Sequence, residues 1–367
     1  MSNAELLVDA LRPGRCDSLW NAPLPWHADA EVMHQGNRWH AAGLATHPRQ
    51  RAAIAAAERA LYPGGSRYTD VRAWDCAGAE VAIVEWRQCA TAWNGIEVDN
   101  GGAMIVEFDG GRIRRLRNFT NTALLEAVES GWADRIDLDT LMALPAWHTL
   151  GQAPLHWRPY PPAADSARRG DPPRRYPEPI TNEARVHRRY DPRGLFADIP
   201  IAHYYALAHD AYIEFQGTRW FLAGRNPNSA IEGQPDATSA VFSAVFVPAS
   251  FGFTHNRTWA TTSDRWVFME WVSASDTPTG VPFRNHGLTL LHFDDGDLVT
   301  EHREYANVAY LEAHQADLPA RVSPETLAPY ACAKTWAEDP ARWRALPIPA
   351  EHAQPAHRAH ARARIDR

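Results

Sequence analysis

Apolar residues in this chain gather in short runs bounded by turn-forming residues, a pattern that predicts strands. Val81 to Trp86 and Ala103 to Phe108 are rich in β-branched and aromatic side chains, and Asp109-Gly110-Gly111 reads as a hairpin turn into Ile113 to Phe119. Before them, Arg49 to Leu61 is filled with strong helix formers and stops at Tyr62-Pro63-Gly64-Gly65. A short helix is expected from Thr122. Further on, strands are expected at Arg265 to Ser273, Gly287 to Phe293 and Leu298 to Tyr305. The order is helix, strand meander, short helix.

The pattern occurs twice. Gln35-Gly36-Asn37-Arg38-Trp39, followed by Gly43, returns as Gln216-Gly217-Thr218-Arg219-Trp220, followed by Gly224. Glu85-Trp86 returns as Glu270-Trp271, and Phe108 to Ile113 returns as Phe293 to Leu298. Asn118-Phe119-Thr120-Asn121, running into Leu125-Glu126, is answered by Glu304-Tyr305-Ala306-Asn307, running into Leu311-Glu312. Matched blocks in one order at nearly constant spacing predict a tandem pair of homologous domains. Residues 1–150 form the first and 194–346 the second. Between them, 151–193 is rich in Pro and Arg without apolar periodicity and reads as a linker long enough to wrap over a domain. Residues 347–367 form an Ala/His/Arg-rich tail.

A length of 367 residues, 45% hydrophobic and 22% charged, suits two globular domains and excludes bulk disorder. The net charge of -7 argues against nucleic acid as a partner, since phosphate binding needs a basic face. No apolar run is long enough to span a bilayer, Met1 to Ala10 lacks the marks of a signal peptide, and the four cysteines show no framework or C-x-x-C spacing. A cytoplasmic protein without membrane contact is expected. Neither a metal nor another cofactor is expected: the 17 His residues show no ligand spacing, and His352, His357 and His360 fall in the tail. Fifteen Trp residues are many for this length. Such rings fill cores or line pockets for apolar, often aromatic, ligands.

Several stretches carry a resemblance. The strand ending in an aromatic, the Gly-containing turn, and the polar residue beside an aromatic (Phe108 to Asn118-Phe119, and Phe293 to Glu304-Tyr305) look like the last hairpin of the SnoaL-like, or NTF2-like, superfamily. Ala28 to His34 and His209 to Phe215 are similar to its first strand. The resemblance implies an α+β fold of two tandem cone-shaped, cystatin-like domains, each a curved antiparallel sheet wrapped around helices. The two would pack as an internal pseudo-dimer, open to further homo-oligomerisation. Polyketide cyclases, ketosteroid isomerases, limonene epoxide hydrolases and scytalone dehydratases belong to this superfamily, as do non-enzymatic carriers. A dry pocket in the enzymes shifts a carboxylate or His toward neutrality, so protons move without a cofactor.

Carried over by position, the epoxide-hydrolase branch keeps a catalytic Asp where this chain has Glu304 in the second copy and Asn118 in the first. Alternation puts His302 on the same strand face as Glu304. Glu304 could instead pair with Arg303 or Arg265 at a sheet surface, and His302 could be an ordinary surface residue. The ketosteroid isomerase base position corresponds to His34 in the first copy and Phe215 in the second. Family parity turns Trp86 and Trp271 inward against a ligand. His286 is expected at the pocket mouth, and Tyr204 and Tyr205 either as donors to a substrate oxygen or as core packing. Asp29 and Asp210 are candidate binding residues, with a turn or cap role as the stronger explanation. Asn121 and Asn307 read as helix caps.

The function these readings favour is cofactor-independent acid–base chemistry, of a lyase, isomerase or cyclase kind, on a small apolar or aromatic oxygenated substrate. The alternatives are a hydrophobic-ligand binder or scaffold with one degenerate pocket, and an adaptor docking through the Pro/Arg linker.

Overall fold

The computed structural model describes residues 1–12, 19–160, 166–172, 180–192, 206–231, 233, 235–261 and 265–348. It is a mixed α+β protein with two sheets, divided into two compact units.

The first unit takes in Met1–Gln152 and the described part of the segment from Ala341 onward. Its elements are α1 (Asn3–Ala10), β1 (Trp26–His34), β2 (Gly43–Ala45), α2 (Pro48–Leu61), β3 (Ser66–Asp75), β4 (Val81–Thr91), β5 (Glu97–Asp109), β6 (Arg112–Thr120), α3 (Thr122–Val128) and α4 (Leu138–Ala143). The sheet order is β2-β1-β6-β5-β4-β3, antiparallel except where β1 lies parallel to β6. One face of β4 to β6 (Val84, Trp86, Met104, Val106, Leu116) packs with Ile54 and Leu61 of α2 in the core. Trp343 and Ala345 join that core, and Ala345 donates its backbone N–H to Asp99. The sequence placed 341–346 in the second domain. Two buried apolar side chains seat this segment in the first unit instead.

The second unit spans Ala153–Pro340. Here β7 (Ala167–Arg168), α5 (Asn182–Arg189), β8 (Leu207–Phe215), β9 (Gly224–Pro227), α6 (Asn228–Ile231), α7 (Pro235–Val245), β10 (Gly252–Ala260), β11 (Trp266–Ser275), β12 (Phe283–Phe293), β13 (Val299–Ala306) and α8 (Val308–Gln315) follow in order. The sheet runs β7-β10-β11-β12-β13-β8-β9, with β8 parallel to β13 and the other pairs antiparallel. The stretch read as a linker supplies β7 to the β10 edge. It also supplies α5, which is capped by the Thr181 side chain and buries Val186.

The repeated sequence blocks do the same structural work in both units. Gly36 and Gly217 have φ of +91° and +100°, the left-handed region that favours glycine. Each lets the chain turn so that the indole N–H of Trp39 or Trp220 donates to the carbonyl of Gln35 or Gln216 at 2.7 Å. Glu126 on α3 then accepts from the backbone N–H of Asn37 and Arg38 and from the Arg38 guanidinium, at 2.8 to 3.2 Å. Glu312 on α8 does so for Thr218 and Arg219, also at 2.8 to 3.2 Å. Asn121 and Asn307 cap these helices by accepting from Leu124 and Tyr310. The first strand is thereby latched to the helix after the last strand.

Candidate functional site

In the second unit, the face of the sheet turned toward α7 and α8 lines a cavity of about 170 Å³. Its wall is mostly apolar and rich in aromatic rings, including Phe215, Trp220, Phe246, Phe251, Phe253 and Trp271. Trp271 lies flat over the backbone of Gly287, where any Cβ would overlap its ring, and donates its N–H to Thr289 Oγ1 at 2.9 Å. Trp86 lies over Gly102 in the same way in the first unit. Both Trp residues line the cavities of their units, while Glu85 and Glu270 face the other side, with Arg72 and His286 as partners.

His302 and Glu304 sit on β13 with their side chains in this aromatic wall, His302 Nε2 lying 3.3 Å from Glu304 Oε2. Side-chain exposure is 5% for His302 and 15% for Glu304, so the carboxylate is the wetter of the two. Arg303 between them points to the opposite face, where it pairs with Glu214 and Glu301, and Arg265 pairs with Asp297 at 2.5 Å. Neither arginine neutralises Glu304. Arg189, Gln216, Thr238, Ser273, Asn285 and Gln315 make up the rest of the polar lining. Asn285 Oδ1 accepts from the backbone N–H of His286 at 2.9 Å, and Gln315 Oε1 accepts from that of Phe221 at 3.0 Å. Each amide oxygen being engaged, the –NH2 groups are the free ends. Asn285 Nδ2 and Gln315 Nε2 are buried without a hydrogen-bond partner among the described residues. Buried donors without partners are costly, so a ligand oxygen is their natural complement.

The first unit's cavity is about 30 Å³ and is lined by more polar side chains, among them His34, His40, Glu58, Gln88, Asn118 and Glu129, beside Trp20, Trp39 and Trp86. His34 Nδ1 lies 3.1 Å from Asn118 Nδ2, so these two candidate residues meet. Burial, with the nearby His40 adding to it, lowers the His34 pKa to about 3. Beside it stands a group the sequence reading missed. His40 Nδ1 lies 2.9 Å from Glu129 Oε2, and the Tyr62 hydroxyl donates to Glu129 Oε1 at 2.6 Å. Burial works against the His40 cation, but Glu129, with Glu58 behind it, outweighs this and raises its pKa. Burial first, and then Glu129, push the Tyr62 phenol well above its ordinary range.

Matched positions in the two units differ systematically. Glu129 and Gln315 accept from the backbone N–H of His40 and Phe221 respectively. Tyr62 and Phe246 end α2 and α7, each bonded through its N–H to the residue four back, Glu58 or Phe242. Tyr68 and Phe253 meet Trp86 and Trp271 edge-on. The first unit carries the ionisable or hydroxylated member of each pair.

Other expected residues lie elsewhere. His286 faces away from the cavity and is fully buried, with Nε2 lying 2.8 Å from Glu270 Oε1 on β11, because strand alternation puts Asn285 rather than His286 on the cavity side. Asp29 and Asp210 are exposed on β1 and β8 and line neither cavity. Tyr204, Tyr205, His352, His357 and His360 lie outside the described residues. Among the described residues no group of three or more His, Cys, Asp or Glu side chains could hold a metal ion, and no helix is long and apolar enough to cross a membrane. A sequence signal for His40 existed. It directly follows the repeated Gly-x-Arg-Trp block, at the position where the second copy has Phe221.

No family model matches the chain, and no curated protein matches it. Solved structures give distant likenesses. One is a protein of unknown function with a cystatin-like fold from Xanthomonas campestris, 18% identical over 29% of this chain and 78% of that one, with a TM-score of 0.24. Another, from Pseudomonas putida, is described as a candidate polyketide cyclase and is 16% identical over 37% of this chain and 99% of that one, with a TM-score of 0.27. TerC, co-crystallised with polyporic acid, is 20% identical over 29% and 82%, with a TM-score of 0.25. Each covers only part of the chain, and none is close enough to carry a functional argument.

Proposed function

We propose that this chain is a tandem SnoaL-like protein whose second unit carries out cofactor-independent proton transfer on a small aromatic or apolar oxygenated substrate. The observation that carries the reading is the His302–Glu304 pair set into a largely apolar, aromatic-rich cavity of about 170 Å³. For scale, an apolar cavity of about 150 Å³ holds benzene, so this one suits one ring or two fused rings. Rings stacked among Trp271, Phe251 and Phe253 would place a ligand by shape. A carbonyl or hydroxyl oxygen would be received by the free amide N–H groups of Asn285 and Gln315, which stabilise charge as it develops there. Glu304, the more accessible of the pair, is the proton acceptor from an acidic C–H or O–H. His302 orients it and passes the proton on. Lyase, isomerase and cyclase outcomes all begin with this step.

Deuterium wash-in at the carbon next to the carbonyl of indan-2-one, followed by NMR in D2O, reads the step without knowing the natural substrate. The wild-type protein is expected to accelerate exchange over buffer, and Glu304→Gln to lose about 10²- to 10⁴-fold of that acceleration while remaining folded. Equal acceleration by wild type and Glu304→Gln would reject Glu304 as the base.

A further inference from the structure

The first unit's small cavity is built for a different ligand. His40 is held on one side by Glu129, which also accepts from Tyr62, and its other ring nitrogen, Nε2, is buried without a hydrogen-bond partner among the described residues. With Nδ1–H given to the Glu129 carboxylate, His40 has its Nε2 held in place, and as the imidazolium that Glu129 favours it carries an N–H there too. His34 repeats the situation. With Asn118 Nδ2 donating to Nδ1, the ring proton stays on Nε2, which again has no partner among the described residues, and neither does Asn118 Oδ1. All three residues line the same cavity. It therefore presents two N–H donors and one carbonyl acceptor, none satisfied by described residues.

The surrounding charge narrows the class. Glu129 and Glu58 both act on His40, and Glu58 is further held by Ser66 and Gln88. Two carboxylates against one imidazolium leave no surplus positive charge, so an anionic ligand is disfavoured. About 30 Å³ holds roughly two water-sized groups, which matches the adjacent carbonyl and hydroxyl of one small molecule. The second unit cannot do this: its residues at the positions of His34, His40 and Tyr62 are Phe215, Phe221 and Phe246.

We propose that the first unit holds a second ligand site, in which His40 and His34 donate to the carbonyl oxygen, and Asn118 accepts from the hydroxyl, of a small neutral α-hydroxycarbonyl compound. Glu129 and Tyr62 act as positioning residues for His40. The site does not depend on Glu304, so the two proposals fail independently.

The test is a titration of the full chain, labelled with 15N-histidine, with hydroxyacetone at neutral pH, followed by ring nitrogen chemical shifts. The Nε2 signals of His40 and His34 are expected to move along one saturable curve, while those of His302 stay in place. His40→Phe, which copies the second unit, is expected to abolish the His34 response. Glu129→Gln, which copies Gln315, is expected to weaken half-saturation at least tenfold. Absence of a saturable shift at His40 in the wild type overturns the proposal, as does an unchanged His34 curve in His40→Phe. Should either variant fail to fold, the wild-type curve decides.

Discussion

His34 is a buried imidazole whose pKa is lowered to about 3, by burial first and His40 second. Between about pH 6.5 and about 3 the unfolded chain therefore binds a proton that the folded chain refuses, so stability falls as pH falls through that window. At pH 4.5 the loss attributable to His34 is about 2–3 kcal/mol relative to pH 7. His34→Phe should flatten this acid slope, measured by urea unfolding at the two pH values. An identical slope in both proteins would contradict the assignment. His40 runs the other way, because its raised folded pKa adds stability that is complete below about pH 6.5 and fades as pH rises through the folded value. At this scale the sequence was partly readable. Strand alternation was enough to put His302 with Glu304. The convergence of His40, Tyr62 and Glu129 was not readable, because one follows a turn, one ends a helix and one follows another helix. Only tertiary packing joins them.

Helices and strands carry the repeated residues for reasons of packing rather than chemistry. Gly102 and Gly287 exist so that Trp86 and Trp271 can lie on the backbone of the neighbouring strand, and Gly287→Ala would push Trp271 into the cavity. A cost of about 1–3 kcal/mol is expected from overpacking, read as a lower denaturation midpoint at unchanged m-value; an undiminished midpoint would show that Trp271 has room to move. The Glu126 and Glu312 latches are likewise structural. Glu312→Gln should cost about 1.5–3 kcal/mol, the range for hydrogen bonds to a charged group, and a change under about 0.5 kcal/mol would remove the latch from the account. Strands rich in β-branched residues, such as β4 and β11, could be read directly from the sequence. Strand β3 was hidden because its register slips between Thr69 and Arg72, with Asp70 at a φ of +50°, and this breaks the alternation. Helix α5 was hidden by its charge, three of its last residues being His187, Arg188 and Arg189.

Over the whole molecule, two units share a strand order and a set of latches but line their cavities with opposite chemistry. The repeated residues fall on the same turn and helix-cap positions in both units, and the units differ in what lines their cavities. Glu304 against Asn118 was one such difference. The replacement of His34, His40, Glu58, Tyr62 and Glu129 by four phenylalanines and a glutamine is the larger one. The volume of each cavity could not be read from sequence, since it depends on how rings such as Phe246 and Phe251 pack, tilted against one another with centroids 4.9 Å apart. The central claim is that the aromatic cavity presents a ligand oxygen and its neighbouring carbon to His302 and Glu304. A crystal structure of the protein with indan-2-one bound tests this most directly. The account predicts the ring among Trp271, Phe251 and Phe253, the carbonyl oxygen on the amide nitrogens of Asn285 and Gln315, and the adjacent carbon within reach of the Glu304 carboxylate. A ligand bound elsewhere, or bound with its oxygen turned away from β13, would contradict it.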